Sequence, residues 1–246
     1  MSFLYQCHVH TEYSPDSCVS LDRLYKCLLR NKIWGIIITD HNTTEGALKF
    51  KQKYGCKLDV IIGEEIMTKK GEIIGMFLKE EIQKGLTPEE TIKRIKKQGG
   101  LVCIPHPFDR KRYKTCLELD SIIKNKDNID IIEIFNGRAV ENEFNKSAEK
   151  LSHDLNKPCV YGSDSHSCYE LKYNCCDFKN NLTRGNFIES LKYINIYNKR
   201  TNKSIHYYTI YVKVKKLIKA GKISEAFNFI YKGCKKRLLR AFKVNR

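Results

Sequence analysis

Residues 34–41 read WGIIITDH. Three isoleucines in succession, followed by a β-branched threonine, make a run that is apolar at every position and too short for a core helix. Such a run is a strand buried on both faces, the habit of parallel sheets with helices on either side. It stops at an acid and an imidazole. Similar runs recur along the chain: FLYQCHVH (3–10), LDVIIGEEI (58–66), EIIGMFL (72–78), LVCIPHP (101–107), IDIIEIFN (129–136) and PCVYGSDSH (158–166). Helix-period segments lie between most of them, at 21–32, 44–55, 87–100, 117–126 and 142–157. Thr87 and Pro88 open one helix and Gly99–Gly100 close it, the usual start and stop chemistry. Strand and helix alternating in this way predict βα units, and the count predicts an α/β barrel of about seven strands related to the TIM architecture.

The chain has 246 residues and a formal net charge of +17. That length suits one large barrel plus an appendage. The charge is not spread evenly: from Lys199 to Arg246 there are fifteen Lys/Arg and one acid, Glu225, so residues 1–198 carry only +3. The division expected is therefore a barrel over 1–198 and a basic helical extension over 199–246. The extension reads as two amphipathic helices, 207–222 and 224–242, with Ser224 as an N-cap. Its charge fits a phosphate-bearing substrate or a nucleic-acid contact, or simply a solvated face. Eleven cysteines, scattered and without a CxxC pair, argue against a disulfide framework and a thiolate zinc site. Only the adjacent Cys175 and Cys176 keep redox or metal chemistry open. With no membrane span and no leader-like segment at the start, the expectation is a soluble protein of a reducing cytoplasm.

The titratable residues are not scattered. His8 and His10 close the first run, Asp40 and His41 the second, and Glu64 and Glu65 the third. His106, then Glu133 with Asn136, then Asp164 with His166 close later ones, so five of the seven histidines fall at run ends. In a barrel of parallel strands those ends form one face, where active sites are built. Alternation would bring His8 and His10 to one side, and would let only one of Glu64 and Glu65 reach the centre. Imidazole and carboxylate without thiolate suit Zn, Mn or Fe, and a shared carboxylate can bridge two ions.

The segments HVHTEYSPDS, IITDHN, GEEI, IPHP and GSDSH, in that order, resemble the motifs of the PHP (polymerase and histidinol phosphatase) domain over roughly residues 3–178. The resemblance implies a distorted (β/α)7 barrel, a trinuclear metal centre and phosphoesterase activity. Residue by residue, it implies His8, His10, Glu65 and Asp164 around a first ion. Glu65 would bridge to a second ion shared with His106, and Asp16, His41 and His166 would hold a third. Many members carry a histidine on the strand after the bridging glutamate; here the corresponding occupant is Glu72. Two or three divalent transition-metal ions, Mn, Zn or Fe, are the cofactors expected.

Other residues are read more openly. Asp40 is placed either to orient a ligand histidine or to hold a strand-end backbone group. Arg110 and Arg138 follow strand ends, where a guanidinium can grip phosphate or lie in solvent. Glu133 and Asn136 are expected on the pocket floor, Trp34 in the core, and His153 and His206 at the surface. The function expected is hydrolysis of a phosphate mono- or diester by metal-activated water, on a nucleotide, an oligonucleotide or a small phosphorylated metabolite. The alternatives are a catalytically degenerate barrel that binds nucleic acid through its basic tail, and a metallohydrolase of a non-phosphate bond. Nothing in the sequence addresses the oligomeric state.

Overall fold

The computed structural model describes residues 3–109, 114–197, 201–202 and 204–244, with side chains except at 196–197 and 234–244. In chain order the elements are β1 (Phe3–Val9), α1 (Leu21–Arg30), β2 (Gly35–Ile38), α2 (Glu45–Tyr54), β3 (Asp59–Thr68), β4 (Gly71–Met76) and α3 (Pro88–Lys97). There follow β5 (Leu101–Ile104), α4 (Leu119–Lys124), β6 (Ile131–Asn136), α5 (Asn142–Asp154), β7 (Cys159–Gly162) and β8 (Cys175–Phe178). The chain continues with α6 (Phe187–Ser190), β9 (Asn195–Tyr197), α7 (Ile205–Lys219) and α8 (Ile223–Val244).

The strands form one sheet in the order β7-β6-β5-β4-β3-β2-β1-β8-β9. It rolls into a distorted TIM-like barrel, closed where the chain beyond β7 runs parallel to the end of β1. There Ser163 N–H donates to the Cys7 carbonyl, Ser165 N–H to the His8 carbonyl and His10 N–H to the Ser165 carbonyl. The lower half of β1 pairs instead with antiparallel β8, which β9 extends. Those two short strands were not anticipated. Nor was the direction of β4, which is antiparallel to both β3 and β5. Because β4 runs backwards, Glu72 at its beginning lies level with the far ends of the parallel strands.

Alternation divides the core into layers. Tyr5, Cys7, Ile37, Ile61, Leu101, Cys103, Ile131 and Val160 share one buried cluster, sealed by Phe178, Leu182, Phe187 and Leu191. Their strand neighbours Ile36, Ile38 and Val60 pack with α1 and α2, and Val102, Ile104 and Ile132 with α3 to α5. The inward rows turn polar toward one end: Ile61 is followed at the same face by Gly63 and Glu65, and Ile131 by Glu133. Thr87 caps α3 by accepting from Glu90 N–H, with Pro88 in the first turn and Gly99 at φ +78° beyond its end.

Four expectations are corrected. Trp34 is 45% exposed, packed edge-on against Phe3 at the rim where β2 has not yet entered the barrel. Ser224 lies inside α8, which begins at Ile223. Cys27 and Cys168 are disulfide-bonded across 141 residues, tying α1 to the loop after His166. His206 is not a bystander, since its Nε2 lies 3.1 Å from the Arg138 carbonyl oxygen. His153 does stand at the surface, its side chain 93% exposed. Among the described residues no helix is long and apolar enough to cross a membrane.

Candidate metal centre

The site begins with a break in regularity. His8 has φ 62°, and the pairing of β1 with β2 shifts register between Gln6 and Val9. His8 and His10 therefore converge by way of a bulge, with ring centroids 5.2 Å apart, and not by simple alternation. His106 (φ 30°) and Asp164 (φ 50°) are also left-handed. Non-glycine residues in that region cost on the order of 1–3 kcal/mol each and persist only where their surroundings hold them. Here the surroundings do so: His106 N–H donates to Glu133 at 2.8 Å, and the His8 carbonyl accepts from Ser165 N–H.

The structure brings all nine expected metal residues together. Glu65, 1% exposed, lies at the middle. Its Oε1 is 3.0 Å from His106 Nε2 and 3.3 Å from His8 Nε2, and its Oε2 is 3.0 Å from His41 Nδ1 and 3.4 Å from His10 Nε2. Asp164 Oδ1 faces His10 Nε2 at 3.5 Å and His8 Nε2 at 3.8 Å. Asp16 meets His166 Nε2 at 3.2 Å and His41 Nε2 at 3.7 Å. Glu72 lies 3.5 Å from His41 and 3.6 Å from His106. Donor atoms of His8, His10 and Glu65, of His41, Glu65 and Glu72, and of His10, His41 and His166 each cluster within 4.8 Å. Glu64, next to the centre in sequence, points away and accepts from Ile82 N–H.

The imidazoles are aimed from behind. His8 Nδ1 lies 2.7 Å from Glu133 Oε1, and His10 Nδ1 lies 3.0 Å from Ser14 Oγ. This leaves their Nε2 atoms facing inward with no hydrogen-bond partner. Ser14 Oγ also donates to Asp40 and accepts from His41 N–H, while Asp40 takes both the N–H and hydroxyl of Thr11. Asp40 thus holds the Thr11 backbone and connects through Ser14 to the His10 ring. Glu133 and Asn136 do more than line a floor, since the Asn136 amide donates to both Glu133 and Asp164.

Charge follows the same layout. Burial and the neighbouring His166 and His41 keep the His10 imidazole well below its usual range, so it stays neutral. Burial opposes the charge on Glu65, but His8 and His41 hold its carboxyl well below the ordinary range; His166 and His41 do the same for Asp16. Burial also opposes the charge on His8, yet Glu133, Glu65 and Asp164 together push it up to about 10. A divalent cation would displace the proton these carboxylates hold on His8, and inward imidazole nitrogens with ionised carboxylates, no thiolate among them, then make a donor set that fits hard or borderline divalent cations.

Arg138 departs from the expectation of a phosphate grip. It is 4% exposed, its Nε pairs with Glu170 at 3.0 Å, and its Nη2 donates to Thr209 at 2.8 Å. Its Nη1 lies 3.1 Å from His166 Nδ1, which also lies 2.9 Å from the Asp164 carbonyl oxygen that accepts its proton when Nε2 is left free, so Arg138 packs behind a centre histidine. Arg110 lies outside the described residues. Glu170, fully buried, also accepts from His166 N–H and Ser167 hydroxyl, and nothing in its sequence neighbourhood marks it. Ser14 was overlooked as well, although its place between His10 and Asp16 was a usable sign.

The PHP domain family model matches residues 6–151, more than half of the chain, and the chain belongs to that family. Two uncharacterized proteins of Methanocaldococcus jannaschii are similar to it. One is 42% identical over 142 residues, 52% of this chain and 79% of the relative; the other is 32% identical over 168 residues, 67% and 65% respectively. The chain thus spans slightly under two thirds of the second. Among solved structures, a two-domain protein of Bacteroides vulgatus containing a predicted PHP-like metal-dependent phosphoesterase superposes with a TM-score of 0.62 at 17% identity. That match covers 78% of this chain and 62% of that one.

Proposed function

We propose that this protein is a metal-dependent phosphoesterase that hydrolyses a phosphate mono- or diester at a centre of two or three divalent ions, Mn, Zn or Fe. The observation that carries the reading is the convergence of His8, His10, His41, His106 and His166 with Asp16, Glu65, Glu72 and Asp164, all buried but the half-buried His41 and Asp16. Family membership and the predicted PHP-like phosphoesterase of the Bacteroides vulgatus protein support the same class. Bound ions in such a centre activate water and neutralise developing phosphoryl charge.

The chain's own residues supply the rest. Glu65, central to four imidazoles, would be the bridging carboxylate. Glu72 takes the position where many family members place a histidine, which makes the donor set harder and favours Mn or Fe over Zn. Glu133, Ser14 and Asp40 fix ring orientation, so that the nitrogens need little reorganisation when a cation enters. The substrate proposed is a nucleotide, an oligonucleotide or a small phosphorylated metabolite, with the basic extension attracting the more highly charged of these. Metal-loaded protein should be screened against phosphomonoesters, phosphodiesters and short RNA and DNA, alongside carboxylic esters and amides. Turnover confined to phosphate esters is expected; turnover only of carboxylic esters or amides, or none at all, would refute the reading.

A further inference from the structure

The C-terminal extension is wired into the centre at both ends of α7. At the near end, Arg138 donates to Thr209 Oγ1 and to the Ile205 carbonyl, and His206 Nε2 meets the Arg138 carbonyl oxygen. At the far end, the Lys216 ammonium donates to the carbonyls of Glu12 and Ser14, both at 2.6 Å. The loop it grips is the one between His10 and Asp16. Within that loop Ser14 Oγ touches His10 Nδ1, Asp40 and His41 N–H, and Arg138 touches His166. Both attachments of α7 thus lead to one side of the centre, where Asp16, His41 and His166 face each other.

We infer that Lys216 is a positioning residue for this side of the centre: by holding the Glu12 and Ser14 carbonyls it fixes the loop that carries Asp16. Together with the Arg138–Thr209 link, it makes retention of the ion at Asp16, His41 and His166 depend on docking of the C-terminal helix. The inference rests on the metal-centre reading above. Its sign separates it from a charge effect, because an ammonium beside a cation site repels the cation and its removal would by electrostatics alone tighten binding.

Binding of Mn(II) to the full chain, followed by electron paramagnetic resonance of the free ion, tests it. Lys216→Met keeps the aliphatic stem and removes the donor; it should weaken one class of Mn by at least about tenfold and leave the rest unchanged. Lys216→Arg should recover most of the loss, Thr209→Val should weaken the same class through the other attachment, and Lys219→Ala, at an exposed position, should match the wild type. A Lys216→Met isotherm equal to or tighter than wild type would overturn the inference, as would equal weakening of every class. Wild-type protein that takes up no Mn would overturn both this and the phosphoesterase reading. Wild-type protein that binds Mn yet hydrolyses no phosphate ester would refute only the latter, with the Lys216 comparison still deciding the former.

Discussion

Glu64 and Glu65 are consecutive acids with opposite fates. Strand alternation sends Glu65 among the imidazoles, where neighbouring positive charge keeps it ionised. Glu64 is sent into the wall, where burial, despite the hydrogen bond from Ile82 N–H, pushes its carboxyl up to about 8. A carboxyl whose folded value lies above its unfolded one binds more protons when folded, so its contribution to stability falls as pH rises between the two values. Relative to Glu64→Gln, the wild type should therefore lose about 2–4 kcal/mol of stability between pH 5 and 8, read from urea unfolding at each pH. A constant difference across that window would mean that Glu64 is ionised throughout. At the centre itself, His10→Ala and Asp164→Ala should each reduce turnover by more than about 100-fold with circular dichroism unchanged, because each removes a donor from a pre-aimed set. A folded variant with near-normal turnover in added Mn would show that its residue is no ligand.

The end of β7 shows how tightly elements are fitted around that set. A methyl group at Gly162 would overlap the Glu133 carboxylate that orients His8 and crowd the His8 Cβ. Gly162→Ala should accordingly cut turnover and Mn affinity by roughly 10–100-fold, a loss visible in a binding isotherm as well as in rate; unaltered affinity would show that His8 needs no such support. Much of this arrangement was legible in the chain. Doubly apolar runs are local signals, and their ends placed His8, His10, His41, Glu65, His106, Asp164 and His166 on one face. The direction of β4 was also available, since Lys69–Lys70 is far too short a link for a crossover helix. The left-handed backbone at His8, His106 and Asp164 was not, because it is imposed by hydrogen bonds from distant strands. The engagement of Arg138 by Glu170 and α7 was hidden for the same reason: its partners lie 32 and 71 residues away.

Across the molecule, the basic extension has two aspects. Lys216 and Thr209 face the barrel, while Lys215, Lys219 and Lys232 are exposed; the basic cluster Lys235, Lys236 and Arg237 belongs to the part of α8 whose side chains lie outside the described residues. If the substrate is a polyanion, changing Lys215, Lys219 and Lys232 to glutamine should raise its KM and flatten the log-log salt dependence by roughly one unit per lost phosphate contact, with p-nitrophenyl phosphate turnover unchanged. Equal loss on both substrates would assign those lysines to barrel stability. The whole account depends on the centre being a multinuclear hydrolytic site. Its most direct test is p-nitrophenol release from p-nitrophenyl phosphate and its bis ester while chelator-stripped protein is titrated with Mn(II). The account predicts no release without metal and a rate that climbs to a plateau at two to three equivalents per chain; full turnover by the stripped protein, or no turnover of either ester at any metal loading, would contradict it.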